Sequence, residues 1–371
     1  MVYLDNAATS FPKPSCVLKN TYRFIKNECG NSGRSSHELA MTTSRYIYES
    51  REAVARLLGL SDVEKVVFTQ NATYALNLAI KTTVSENSHV LISDVEHNAV
   101  LRPLFAVSKK KNISYSIFST VGDIESNIEN LITENTKCII SSLVSNVTGK
   151  EIKLEMLSQI SKKHGLILIL DASQALGHIN VDLYKNYCDV LCSAGHKALF
   201  GIQGVGFAVF LDNRIRETIV EGGSGSDSFN LNMPSSLPER FEAGTLSAPA
   251  IVSLLHGIKF VEKTGLDEIR YKLSKIENRY VEIIGNSSDC TLSGHGNGII
   301  SFNVKNLSSE AVAYELNDRG ICVRGGFHCS PLAHTALGTE KTGAVRISLS
   351  YMNSIKETDK FYKAIKLIAA K

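Results

Sequence analysis

The 371-residue sequence predicts an α/β fold organised around a mainly parallel sheet, with a second, smaller unit towards the C-terminus. Three observations carry that reading. Between about residues 65 and 211, short apolar runs alternate with segments of helical period. Most of those runs are unbroken instead of alternating apolar with polar, as expected of strands buried on both faces. The chain is also long for a single core, since roughly 150 residues per domain suggests two or three.

Taken in order, the candidate strands are residues 66–69, 90–93, 114–118, 138–143, 166–170, 190–193 and 206–211. Helical segments fall between several of them, including 72–83 and 153–164, the latter followed by Gly165 as a C-cap signal. This rhythm implies right-handed βαβ units, whose ligands bind at the carboxyl ends of the strands. Residues 222–245 are rich in Gly, Ser, Pro and Asn and read as a long functional loop. An amphipathic helix carrying Ile251, Leu254, Leu255, Ile258 and Val261 comes next. The smaller unit then shows a strand at 298–304, a helix over 309–319 stopped by Gly320, and a last helix with Phe361, Ile365 and Ile368 on one stripe.

Composition narrows the function. The chain is 43 % hydrophobic and 21 % charged, ordinary for a globular enzyme, and a formal charge of +3 is too small for a nucleic-acid footprint. Lys109-Lys110-Lys111, the one basic run, reads as a solvated loop. No apolar stretch approaches the ~20 residues of a membrane helix, and Met1-Val2-Tyr3-Leu4-Asp5 lacks the layout of a secretion signal. Eight scattered cysteines suggest reduced thiols and a cytoplasmic setting.

The chemistry concentrates at strand ends. Ser193-Ala194-Gly195-His196-Lys197 follows a strand and leads into glycines at 201, 204 and 206. A lysine so placed can meet a flat cofactor and bond to it through its amine, although a strand-end lysine alone also reads as a surface charge. Asp171-Ala-Ser-Gln174 puts a carboxylate at another strand end, where it suits a pyridinium nitrogen or, more plainly, caps a helix. Thr69-Gln70-Asn71-Ala72-Thr73 runs from strand to helix and offers free N–H groups and a hydroxyl, either a phosphate seat or an ordinary helix start.

Together with Tyr3-Leu-Asp-Asn-Ala-Ala-Thr-Ser10, Glu96-His97-Asn98-Ala99-Val100, Ser145-Asn146-Val147-Thr148-Gly149, Phe241-Glu-Ala-Gly-Thr245 and Arg324-Gly-Gly-Phe-His-Cys329, these segments occur in one order. In that order, over residues 3 to about 353, the sequence resembles the class V aminotransferase superfamily, and within it the cysteine desulfurases and selenocysteine lyases. The resemblance implies a fold-type-I transferase dependent on pyridoxal 5'-phosphate. It implies a large domain over 15–260 with a seven-stranded, mostly parallel sheet, and a small α/β domain from 1–14 and 261–371. Lys197 is expected to hold the cofactor and move the Cα proton, with His97 against the ring, Asp171 on the ring nitrogen and Gln174 on the ring hydroxyl oxygen. Thr73, the Ala72 amide and His196 are expected on the phosphate, joined by Thr245 from the other subunit of a homodimer. Asn146 is expected to face cofactor and substrate, and Arg346 to fork the substrate carboxylate. The implied substrate is L-cysteine, the implied partner a sulfur-acceptor protein, and no metal, nucleic acid or membrane is expected.

Cys329 separates the possible reactions, because taking sulfur from cysteine as a persulfide requires a thiolate on a reachable loop. His328 is expected to lower its pKa or relay a proton. Two positions depart from the family pattern. Ala194 stands where a phosphate-binding Ser or Thr is usual, and Ser193 should point to the opposite strand face. Phe327 stands where many relatives have a second histidine. The 329–346 interval has no long insertion, so the thiol loop should be short. Rival readings are a selenocysteine lyase, a related enzyme for another amino acid, and a sulfur-relay scaffold with little turnover.

Overall fold

The computed structural model describes residues 1–33, 36–212, 214, 216–225 and 228–369. The seven apolar runs form one sheet in the spatial order Val66–Thr69, Gly206–Phe210, Val190–Ala194, Ile167–Asp171, Thr136–Ser142, His89–Ser93, Ser114–Phe118. Only Gly206–Phe210 runs against the others. Strand alternation divides the core between two faces. Leu91, Ile139 and Leu168 pack on one side, while Ile92, Ile140 and Ile169 pack on the other with Leu76 and Val100. Each such side chain contributes about 1.5–3 kcal/mol through burial, so the sheet gives the site a stiff base.

Register aligns the strand ends. Ser142, Asp171 and Cys192 form one row across three parallel strands, and Thr69, Gly206 and Ala194 form another. Gly206 permits a close approach there: a Cβ on it would lie 2.4 Å from the Asn71 carbonyl carbon and 2.7 Å from the Ala72 nitrogen. The strand thus packs directly beneath the start of the helix Ala72–Thr83.

At the N-terminus, Val2–Tyr3 pairs in parallel with Ile321–Cys322. A separate antiparallel sheet orders Val345–Ser348, Ile299–Val304 and Cys290–Gly296. Val2 and Leu4 share one apolar cluster with Phe302, Ile347 and Phe361, so the first residues pack with the last third of the chain. Residues 226 and 227 of the 222–245 loop, and 370 and 371, lie outside the described residues.

Several expectations change. Lys109, Lys110 and Lys111 are the last turn of the helix Asn98–Lys111, not a loop. Cations there complement the helix dipole, and Lys111 donates to the Lys81 and Val84 carbonyls. Helices Ser15–Asn27, Glu38–Leu57 and Leu266–Gly285 were not resolved by periodicity. The predicted 309–319 helix is Ser309–Asp318, with Arg319 as its C-cap. Among the described residues, no helix is long and apolar enough to cross a membrane.

Candidate active site

The carboxyl ends of the parallel strands, with the loops that follow them, enclose a cavity of about 220 Å³. Lys197 enters it from the loop after Val190–Ala194. That loop is folded tightly, with the Gly201 N–H on the Gly195 carbonyl at 2.8 Å and the Phe200 N–H on the Lys197 carbonyl at 2.9 Å. The N-terminal segment fixes it from the other side. Lys13 Nζ donates to the His196 carbonyl at 2.8 Å, and the Thr9 and Ser10 hydroxyls donate to the same oxygen at 3.2 Å. Burial lowers the Lys197 pKa to about 8; Arg346 and Arg324 push the same way, and the Asp171 carboxylate opposes them. The neutral amine is therefore about half the population at pH 8 and about a tenth at pH 7.

His97 is the N-cap of the helix Asn98–Lys111, where its Nδ1 accepts the Ala99 N–H at 2.9 Å. Accepting there puts any ring proton on Nε2, and burial lowers its pKa to about 4, which keeps the ring neutral. Asp171 ends its strand and accepts the Ser173 N–H at 2.8 Å. Gln174 donates through Nε2 to the Ala7 carbonyl at 3.0 Å, leaving its second N–H free. Behind this group lies Glu96, wholly buried, whose carboxylate accepts from Ser93 and Ser142; burial raises its pKa to about 7.

Across the cavity, the helix Ala72–Thr83 presents its N-terminus. Asn71 caps it by accepting the Tyr74 N–H, while Ala72 and Thr73 line the cavity beside His196. First-turn N–H groups make such an end a seat for an anion. Burial lowers the His196 pKa to about 4, and its Nδ1 is buried without a hydrogen-bond partner. Ala194 lines the cavity as well. Ser193 is fully buried and turns its hydroxyl to the Ala172 carbonyl at 3.4 Å, so it supplies no replacement hydroxyl.

Arg346 closes the other end from the strand Val345–Ser348. It is 2 % exposed, donates to Asp5 at 2.9 Å and to the Asn146 carbonyl at 3.0 Å, and its Nε is buried without a partner. Arg324 bridges to it on the neighbouring backbone and also lines the cavity. Arg346 is paired with Asp5, and Arg324 lines the cavity as a further cation suited to an anionic ligand.

Cys329 does not line this cavity; its neighbour His328 does. The thiol is on an exposed residue, and the Cys329 carbonyl accepts the Asn98 N–H at 2.7 Å. The expectation that His328 lowers the thiol pKa is not met. His328 donates through Nε2 to the Ala344 carbonyl at 3.0 Å, and burial drives its pKa to about 2, so it carries no charge to stabilise a thiolate. Thr245 is exposed and lies away from the cavity, on the segment held by the buried Arg51–Glu242 ion pair. Asn146 lines the cavity, but its amide is engaged by the Cys329 loop.

Asn71, Ser173 and Arg324 also line the cavity, beyond the residues expected from the motifs. Arg324 had a signal, since it opens the Cys329 segment; Ser173 had none beyond its place after Asp171. The Ser173 hydroxyl, like His196 Nδ1 and Arg346 Nε, is buried without a partner among the described residues. Such groups are costly unless a ligand completes them. The arrangement combines a titratable amine, a buried carboxylate, a helix N-terminus open to an anion and two arginines.

The family model for class V aminotransferases matches residues 2–361. A probable cysteine desulfurase of Borreliella burgdorferi is 30 % identical over 394 residues, covering 99 % of this chain and 92 % of that protein. One of Pyrococcus abyssi is 30 % identical over 382 residues, covering 97 % and 92 %. The apo structure of the cysteine desulfurase from Thermococcus onnurineus superposes with a TM-score of 0.92 at 28 % identity, covering 100 % of this chain and 94 % of that one. With the family model matching nearly end to end over a fold of this topology, the chain belongs to the class V aminotransferase family.

Proposed function

We propose that this protein is a pyridoxal 5'-phosphate-dependent cysteine desulfurase, which converts L-cysteine to L-alanine and keeps the sulfur on Cys329 as a persulfide. The observation that carries the reading is one cavity lined together by Lys197, His97, Asp171 and Arg346, with His328 of the Cys329 loop on its wall. The partnerless buried atoms of His196, Ser173 and Arg346 support a ligand that bears both phosphate and carboxylate groups.

Lys197 would bind the cofactor covalently, Asp171 would pair with its ring nitrogen, and the spare N–H of Gln174 would reach its ring hydroxyl oxygen. The Ala72 amide, Thr73 and His196 would hold its phosphate, together with Thr245 of a second subunit. When bound, the pyridoxal group supplies an electron sink for negative charge at the substrate Cα. Neutral His97 faces this region without adding charge. Arg346 holds the substrate carboxylate, beside Asn146. With its pKa near 8, the Lys197 amine exchanges a proton with Cα in the neutral range. The Cys329 thiolate attacks the substrate sulfur; an S–S bond forms as the Cβ–S bond breaks, and a proton added at Cβ leaves alanine.

A homodimer is supported by Thr245, which is exposed and distant from its own cavity, and by the exposed stripe of Leu18, Tyr22 and Ile25. The free cysteines support a reducing, cytoplasmic setting. The short interval between Cys329 and Arg346 favours transfer of sulfur to an acceptor protein that approaches the loop. The test is alanine release from L-cysteine, selenocysteine, cystine and cysteine sulfinate by the wild type and Cys329→Ser. Release from L-cysteine that the substitution abolishes is expected. Turnover of selenocysteine alone would make the protein a selenocysteine lyase, and undiminished desulfuration by the variant would remove Cys329 from the reaction.

A further inference from the structure

Two successive residues, His328 and Cys329, adopt left-handed backbone angles, with φ of 51° and 58°. Neither is glycine, so each is held in a sparsely populated conformation that costs on the order of 1–3 kcal/mol and persists only when its surroundings impose it. The peptide groups on both sides of the Cys329 Cα are held from different elements. The Asn98 N–H, at the start of the helix Asn98–Lys111, donates to the Cys329 carbonyl at 2.7 Å. Asn146 Nδ2 donates to the His328 carbonyl at 2.9 Å, and Ser330 Oγ donates to Asn146 Oδ1 at 2.6 Å. A backbone carbonyl can only accept, so these partners fix which end of the Asn146 amide is which. Ser330 is fully buried, and its N–H closes the turn onto the Phe327 carbonyl at 3.0 Å.

The same asparagine reaches the carboxylate fork, because Arg346 Nη1 donates to the Asn146 backbone carbonyl at 3.0 Å. One residue therefore joins Arg346 to the thiol-bearing loop. We infer that Ser330 and Asn146 form a clamp that positions the Cys329 thiol relative to the carboxylate fork, Ser330 acting through Asn146 as a positioning residue. The inference deepens the desulfurase reading and rests on it. The thiol must approach substrate in a cavity that it borders without lining. A loop held in an unfavourable backbone state needs its tethers to keep that approach reproducible.

The clamp is tested on the whole enzyme by hydrogen exchange of the amides of residues 327–330 and by steady-state alanine release from L-cysteine. Ser330→Ala removes one hydroxyl from a packed position, so the fold should survive. Losing a hydrogen bond of ordinary strength should speed exchange in this segment by about tenfold. Asn146→Ala, which also removes the donor to the His328 carbonyl, should speed it further, and the double variant should exceed Asn146→Ala by no more than about twofold, because Ser330 acts through Asn146. In Ser330→Ala, kcat should fall about tenfold while KM stays within about twofold, the mark of a lost reacting-state interaction as opposed to lost binding. Unchanged exchange in Ser330→Ala, fully additive effects in the double variant, or a loss carried by KM would each overturn the clamp. Should the wild type release no alanine from L-cysteine, the desulfurase reading fails, and the exchange measurements still decide whether the clamp exists.

Discussion

The sheet-borne end of the cavity and the Cys329 loop are built in different ways. Asp171 and the Ala72–Thr73 helix start stand at the ends of buried elements, and Lys197 follows three residues after a buried strand on a tight loop tied down by backbone hydrogen bonds and by the N-terminal segment. Cys329 stands on an exposed turn with positive φ at two residues, held in part by polar side chains from other segments. Strand geometry orients a side chain through many small contacts, whereas the loop depends on a few hydrogen bonds. Substitutions at the sheet end should therefore abolish or retune chemistry while leaving local order intact. Those in the loop should change order and catalysis together.

The largest effect expected is at Lys197. Lys197→Ala should reduce turnover by at least about 10³-fold, the range of a lost acid–base group, while thermal stability changes little or rises, since a buried amine is removed. Borohydride reduction of the wild type should attach the cofactor mass to the Lys197 peptide. A label on another lysine would break the contrast at its strongest point.

Burial lowers Lys197 from an ordinary 10.5 to about 8, so the charged form is disfavoured and the reactive neutral amine is reached earlier as pH rises. The rate of pyridoxal phosphate attachment to the apo protein should climb about tenfold per pH unit below 8 and flatten above it. The Asp171 carboxylate raises the Lys197 pKa, so Asp171→Asn should move the bend to lower pH. Attachment that keeps climbing to about pH 10 would show an ordinary, solvated lysine.

A smaller effect is expected at Ala194, which lines the cavity where Ser193 turns away. Ala194→Ser adds a hydroxyl next to the anion seat, and a bond to a charged group contributes about 1.5–3 kcal/mol. Cofactor affinity, measured by equilibrium titration of apo protein, should tighten about tenfold. Unchanged affinity would mean that another donor already fills the position.

The same contrast explains what could be read in advance. The seven strands of the large sheet were legible mainly because runs such as 166–170 are apolar without interruption, as strands buried on both faces require. Lys197, Asp171 and Thr73 were legible as strand-end residues, though only their ordered company with the other segments gave them a joint meaning. The helix Glu38–Leu57 escaped because polar residues such as Thr43, Ser50 and Arg51 interrupt its buried face. Lys109–Lys111 misled because a basic helix end and a solvated loop have the same composition. The state of His328 was not legible, since nothing local foretells burial against the Ala344 carbonyl. Nor was the tether of Asn146 to Ser330, which joins residues 184 apart in sequence.

The central claim is that sulfur leaves the substrate for the thiol of Cys329. It is tested most directly by exposing the wild-type holoenzyme to L-cysteine, quenching with an alkylating reagent and weighing the cysteine peptides. One extra sulfur atom on the Cys329 peptide, with none on the Cys322 or Cys290 peptides, is the predicted result. Alanine released without sulfur on Cys329, or sulfur appearing on another cysteine, would contradict it.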